Sequence, residues 1–441
     1  MKIAVIGSGI SGLSAAWLLN QRHEVTLIEG EGRLGGHSNT ATVGSGESAL
    51  DVDTGFIVYN TRTYPNLIAL FEELGVATET SDMSFSVSAD QGRLEYAGSF
   101  SGLTAQPGNL LKPDYWSMLA DLVRFYRQAP LLLSHAETEG PSLGAWLQSE
   151  RYGKAFIDLH LLPMAAAIWS CPVETMMRFP ARSFVQFFVN HGLLDFKDRP
   201  EWRTVTGGSK RYVAKIEAAL EGKIIKGNGA VSISRRPSGV EVTLRDGSIV
   251  EAEQVVLATH GDQALRLLEA PSARERELLG AFQYQDNRAY LHCDPALMPK
   301  REKVWASWNY LTEQDHLGDR RVALTYWMNR LQNLDKSRPV FVSLNPPRQP
   351  KDSLTHAVFD YEHPIFDQGA IAAQQQLDEL QGIDRVWYCG SYCGWGFHED
   401  GLKSAIRVAL ALGAPVPWTH NLSPANSASA VAGDAYVEAA E

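Results

Sequence analysis

The strongest constraint on the fold lies at the N-terminus, where Gly7-Ser8-Gly9-Ile10-Ser11-Gly12 follows directly on the apolar run Lys2 to Ile6. That run predicts a short, fully buried strand. Ser11 to Asn20 predicts a helix, with Leu13, Ala16 and Trp17 on one face. Glu24 to Glu29 predicts a second strand, and two parallel strands need such a crossover. In this βαβ unit Gly7 permits the tight turn, Gly9 lets the backbone approach a pyrophosphate, and Gly12 allows close helix–strand packing. The N–H groups at the helix start, around Ser11, then face the phosphates. Glu29 ends the second strand, twenty residues past Gly9. A carboxylate there accepts from ribose hydroxyls and disfavours a 2′-phosphate.

Three further stretches extend this signal. Arg33-Leu34-Gly35-Gly36-His37 follows at once, and a glycine pair suits a larger dinucleotide lying across the sheet. Taken alone, the pair also fits a flexible loop. Asp51-Val52-Asp53-Thr54-Gly55-Phe56 is the next. The last runs from Cys389-Gly390-Ser391 to Gly401-Leu402-Lys403-Ser404, with a helix expected from about Gly401 to Leu412. A second helix start aimed at the pyrimidine edge of a flavin would stabilise negative charge on the reduced ring.

The rest of the chain narrows the class. With a formal net charge of −11 and no run of Lys or Arg, it carries no nucleic-acid footprint. Its cysteines, Cys171, Cys293, Cys389 and Cys393, are too scattered for a disulfide framework. No second Cys/His pair completes a metal site with Cys389 and Cys393. Reduced thiols in a cytoplasmic protein are the expectation. The N-terminus does not resemble a signal peptide, and no transmembrane segment is expected. Tyr115 to Leu133 comes nearest, but Asp121, Arg124 and Arg127 interrupt it. It suits an amphipathic core helix, with a membrane-surface helix as the alternative. Residues 80 to 200 are rich in helix formers and aromatics, and Lys223 to Thr259 in short strand-like pieces with turn signals. A final strand is expected at Val386 to Cys389. The Asn-, Ser-, Ala- and Gly-rich tail, 419–441, is expected to be poorly ordered.

The order of these motifs resembles the FAD-dependent amine oxidase, protoporphyrinogen oxidase and phytoene desaturase superfamily. Ala306-Ser307-Trp308-Asn309-Tyr310, Asn190-His191-Gly192 and Gly396-Phe397-His398-Glu399-Asp400-Gly401 look most like bacterial NAD/FAD-binding oxidoreductases of the flavin amine-oxidase type. The resemblance implies non-covalent FAD extended between two domains. It places Gly7, Gly9 and Gly12 at the pyrophosphate, Glu29 at the ribose, and Arg33, Gly35 and Gly36 beside the ADP half. Val231 matches an adenine contact, and Gly55 and Phe56 the stretch near the isoalloxazine. Gly390 and Ser391 match a pair whose second member is commonly a carboxylate, and Gly401 and Leu402 the helix start under the pyrimidine. The chain departs from the pattern at His37, where the group commonly has Arg. Gln285 to Tyr290 lacks the amine-oxidase Lys, and the aromatic pair facing the flavin is reduced to Phe397 or His398.

The expected fold is α/β and discontinuous. A Rossmann-type FAD-binding domain takes residues 1–75, 205–285 and 378–415. A substrate domain of mixed sheet and helices takes 76–204 and 286–377. The expected function is a dehydrogenase, desaturase or oxidase taking a hydride from a C–H of a largely apolar small molecule, with a lipid or fatty-acyl chain as the specific hypothesis. Peripheral membrane contact is compatible with that. The rivals are amine oxidation, non-redox isomerisation on reduced flavin, and flavin binding without catalysis. His398 and Glu399 are the first candidates for moving a proton, since they precede the flavin-side helix. His191 and His292 come second. Trp169, Trp308, Tyr310, Tyr326 and Trp327 are candidates for the cavity wall, with core packing as the plainer account.

Overall fold

The computed structural model describes residues 1–134, 140–169, 173–195, 199–314 and 320–422. Cys171, the Trp169 side chain and most of the expected disordered tail, 423–441, lie outside them. The strand β1, Lys2–Ile6, is the centre of a five-stranded parallel sheet. Its neighbours are Glu24–Glu29 (β2) and Gln254–Leu257, flanked by Ile224–Lys226 and Val386–Tyr388. A parallel strand covered on both faces must be apolar throughout, and Ile3 to Ile6 are all buried.

Helix α1, Ile10–Leu19, packs over this sheet and is buried on nearly every side. Gly12 makes that fit: a Cβ there would stand 1.8 Å from the Gly7 carbonyl oxygen. The helix His398–Ala411 crosses α1 where Gly401 meets Ser11, and a Cβ on Gly401 would lie 2.7 Å from Ser11 Oγ. This helix begins three residues before the expected Gly401. The Asp400 carboxylate reaches back to accept from the backbone N–H of Trp395 (3.0 Å) and Phe397 (3.1 Å). That reach-back starts the helix at His398.

The second sheet has seven strands, in the order Thr355–Ile365, Gln283–His292, Phe341–Leu344, Arg320–Trp327, Trp308–Gln314, Phe85–Ala89 and Leu94–Ala97. It is mixed, since Trp308–Gln314 and Phe85–Ala89 run parallel and the other pairs antiparallel. The stretch expected to be helix-rich therefore opens with two strands. Helices between Phe100 and Asn190 then build an aromatic core against this sheet, with Phe125, Phe156, Phe184 and Phe188 buried within it. The amphipathic stretch forms the helix Pro113–Gln128, which buries Tyr115, Met118 and Phe125 and exposes Trp116. Among the described residues no helix is long and apolar enough to cross a membrane, and no group of three or more His, Cys, Asp or Glu is placed to hold a metal ion.

Candidate active site

One cavity of about 2050 Å³ starts at the head of α1 and runs on to the helices of the second sheet. Ligand pockets commonly measure about 300–1,000 Å³, so this space suits a dinucleotide together with a second molecule.

At the head of α1 the cavity wall is a backbone cradle. Gly7 turns with φ +96°. Gly9 caps α1 in an extended conformation, and no side chain caps the helix. Nothing lies within 4 Å of the position a Gly9 Cβ would take. The first N–H groups of α1, with Ser11, therefore face open space on the cavity wall. Gly36, at φ +54°, closes the far side, where its Cβ would come within 3.1 Å of Gly9 Cα. Arg33 Nη1 donates to the Gly36 carbonyl at 2.8 Å, and Gly35, at φ +112°, shapes the turn without lining the cavity. The Glu29 carboxylate accepts from Ser8 N (2.9 Å), Ser8 Oγ (2.5 Å) and Glu31 N (2.8 Å) at the cavity edge. Ser8 holds Glu29 in place, a role that its position inside the glycine motif does not by itself announce. Half-exposed Val231 lies on the same wall with Gly229 and Arg245.

Further in, Gly390, Ser391, Gly55 and Phe56 line the cavity. A Gly55 Cβ would strike the His37 carbonyl oxygen at 2.2 Å, so that close approach requires glycine. Phe56 stacks on His398, with ring centroids 3.7 Å apart. His398 Nε2 pairs with Ser38 Oγ at 2.9 Å, and burial brings its pKa down to about 3. Asp53, from the same segment as Gly55, is instead a structural knot. It is buried and accepts from Thr40, Ser209 and Gln332, and burial raises its pKa to about 6.

Several expectations are corrected here. Glu399 points away from the cavity. Its carboxylate accepts from Asn66 N (3.1 Å), Asn66 Nδ2 (2.7 Å) and Leu67 N (2.9 Å), capping the helix α2, Pro65–Glu73. Burial lifts its pKa to about 7. Held by the donors of that first turn and off the cavity wall, the carboxylate serves as a cap for α2. Gly401 and Leu402 also miss the cavity, because the helix starts at His398: Gly401 packs on α1 and Leu402 lies in the core. His292 is wholly buried between Ser343 Oγ (2.8 Å) and the backbone N–H of Asp294 (3.0 Å). Of the aromatic candidates, Trp308 and Tyr326 line the cavity, whereas Tyr310 and Trp327 do not. Neither Cys389 nor Cys393 lines it. Burial pushes the Cys393 thiol up to about 12 and that of Cys389 well above its usual range.

In the sequence His37 stands out only as a departure from Arg. In the structure it meets Tyr361 (centroids 5.0 Å apart) and His363 (5.3 Å). Its Nε2 is buried without a partner, and burial together with His363, His260 and His398 holds its pKa well below the ordinary value. Nearby, His260 Nδ1 lies 3.1 Å from Glu362. No linear motif joins these residues, since the strand Thr355–Ile365 brings them in from a distant part of the chain.

The open Gly9 cradle, the uncapped head of α1 and the orphaned His37 nitrogen fit FAD. Comparison with known proteins agrees. A model of the family described as flavin containing amine oxidoreductase matches residues 10–317. Over 266 residues the chain is 28% identical to the flavin-containing monoamine oxidase-type protein AofH of Mycobacterium tuberculosis, covering 58% of this chain and 56% of that protein. The match thus spans little more than half of that relative. Putrescine oxidase shares the fold with a TM-score of 0.68 at 15% identity, over 93% of this chain and 99% of that one. A fatty acid isomerase from P. acnes that produces CLA does so with a TM-score of 0.65 at 14% identity, over 93% and 98%. Cyclohexylamine oxidase from Brevibacterium oxydans gives 0.63 at 15% identity, over 93% and 99%. The family match covers well over half of the sequence, and the chain belongs to the family of flavin containing amine oxidoreductases.

Proposed function

We propose that this enzyme oxidises a C–H bond of a largely apolar substrate, a lipid or fatty-acyl chain, with FAD held non-covalently. The observation that carries the reading is the far end of the cavity, walled by Leu103, Leu119, Leu122, Tyr126, Met164 and Phe187. Such a wall excludes water and recognises chain length and shape rather than charge. FAD supplies the hydride acceptor. The residues proposed to hold it are Gly7, Gly9, Ser11, Glu29, Arg33, Gly36, Gly55, Phe56, Val231, Gly390 and Ser391, with Gly12 and Gly35 shaping their backbone. Of the two proton-moving candidates only His398 reaches the cavity, and as a neutral imidazole it would orient a hydrogen bond there. The strands of the five-stranded sheet fall within 1–75, 205–285 and 378–415, which supports those segments as the FAD-binding domain. The remaining stretches, 76–204 and 286–377, would form the substrate domain. Phe100, Leu111, Trp116 and Leu131 are exposed in the helical segment beside the apolar end, and would let the enzyme meet a membrane surface.

Amine oxidation is the second reading, favoured by relatives named for amines. Anaerobic titration of the holoenzyme separates the two. Loss of the oxidised flavin bands with oleic acid or an oleoyl ester, and not with putrescine or cyclohexylamine, is the expected result. Bleaching by an amine alone overturns the proposal. If neither bleaches it, but pre-reduced enzyme moves an acyl double bond without consuming an acceptor, the function is isomerisation, as in the named work of the P. acnes neighbour.

A further inference from the structure

At the apolar end of the cavity the helical run from Lys154 to Trp169 is broken by a π-helical turn, Ile157–Leu161. Such turns are found mostly as single interruptions of α-helices, frequently at functional sites. This one sets His160 on the cavity wall while leaving the residue only 7% exposed. Phe156, Tyr96 and Phe85 surround the imidazole, with ring centroids 6.0, 6.4 and 6.4 Å away.

The hydrogen bonds fix its tautomer. The Tyr96 phenol donates its one proton to the Leu159 carbonyl oxygen at 2.8 Å. It can therefore only accept from His160, whose Nδ1 lies 3.0 Å from the phenol oxygen. Nδ1 carries the proton, and Nε2 presents a lone pair. That Nε2 is buried and has no partner in the protein. A buried acceptor left without a donor is costly, so the position calls for one. The rings around it carry no charge that would balance an ammonium group. Burial holds the imidazole itself neutral, with its pKa down to about 4.

We propose that His160 is a substrate-positioning residue, its Nε2 accepting a hydrogen bond from a hydroxyl group on an otherwise apolar substrate. The inference rests on the apolar-chamber reading above and adds the polar group that the substrate carries.

The test is calorimetric titration of the FAD-loaded enzyme with 1-dodecanol and with dodecyl methyl ether, which differ in having or lacking the O–H donor. The wild type is expected to bind the alcohol about tenfold more tightly, equivalent to about 1.4 kcal/mol. In H160F the preference disappears because the alcohol falls to the affinity of the ether. In Y96F it disappears the other way. Without the phenol the proton moves to Nε2, which can donate to either oxygen, and the ether rises to meet the alcohol. Unequal directions of that kind do not arise from a merely structural role. If H160F does not fold with bound flavin, the Y96F result decides alone. Equal binding of both probes by the wild type, or a preference kept in H160F, overturns the proposal while leaving the apolar chamber intact. Binding of neither probe overturns the chamber reading and this inference with it.

Discussion

Gly9→Ala and Gly12→Ala differ by one methyl group at two positions of one motif, and the structure assigns them opposite consequences. At Gly9 the backbone is extended, at φ −64° and ψ −178°, a conformation alanine adopts freely, and nothing lies within 4 Å of the new Cβ. The apoprotein should therefore keep its stability or gain about 0.4–1 kcal/mol, because the unfolded chain loses freedom. The methyl group instead enters the space before the uncapped helix, where a phosphate must approach. Losing one charge-assisted hydrogen bond there is worth about 1.5–3 kcal/mol, a roughly 10- to 150-fold rise in the Kd for FAD. At Gly12 the new Cβ would stand 1.8 Å from the Gly7 carbonyl oxygen and 3.2 Å from Ala258 Cβ. No rotamer relieves a clash with backbone, so the apoprotein itself should lose about 3 kcal/mol or more. The assay is urea unfolding of apoprotein, paired with FAD titration by flavin fluorescence quenching. A Gly9→Ala apoprotein destabilised as much as Gly12→Ala, or a Gly9→Ala variant that binds FAD like wild type, refutes the division of roles.

Glu399→Ala should lower stability by about 2–3 kcal/mol in thermal or urea unfolding, since it strips the donors of Asn66 and Leu67 of their acceptor. The flavin spectrum of the folded fraction should not change; a shifted flavin band with unchanged stability would return Glu399 to the cavity. Acid should destabilise the apoprotein. Burial depresses His160, His191, His292 and His363 to about 4 and His398 to about 3, so below their ordinary 6.5 the unfolded chain binds the protons that the folded one refuses. Asp53 (about 6) and Glu399 (about 7) are raised, and over the same window they return some stability as pH falls. Among these seven groups the balance is about three protons, or roughly 4 kcal/mol lost per pH unit near pH 5, on the order-of-magnitude scale of 1.4 kcal/mol per proton per unit; the lowered His37 and His260 add to the loss and the raised Asp400 opposes it. A urea midpoint that rises or stays level from pH 7 to 5 would contradict this. Acid precipitation should leave FAD in the supernatant for the wild type and for a Cys389→Ser, Cys393→Ser variant alike, whereas a yellow wild-type pellet would establish a covalent link.

What could be read from the sequence, and what could not, divides by the range of the interaction that decides each residue. The turn at Gly7, Gly9 and Gly12 and the place of Glu29 at the end of β2 were legible because a strand, a turn and a helix start constrain one another within a single βαβ unit. Glu399 was not. A carboxylate at the start of a helix can point to the cavity or into a neighbouring element, and the choice depends on Asn66, 333 residues away in sequence. The helix start itself slipped by three residues because Asp400 bonds back to Trp395 and Phe397, a reach-back hidden behind the glycine that drew attention to Gly401. His37 was visible only as a substitution; its meaning lies in Tyr361 and His363, contributed by the second sheet. His160 is the extreme case, since its offered lone pair depends on a π-turn and on where a tyrosine more than sixty residues earlier sends its proton. The same division explains why the cofactor was easier to reach than the substrate. The cradle proposed to hold the dinucleotide is built from backbone, whose requirements are local and written in glycine. The chamber beyond it is built from side chains that meet only after the chain has folded, so its chemistry belongs to the assembled wall and not to any one segment.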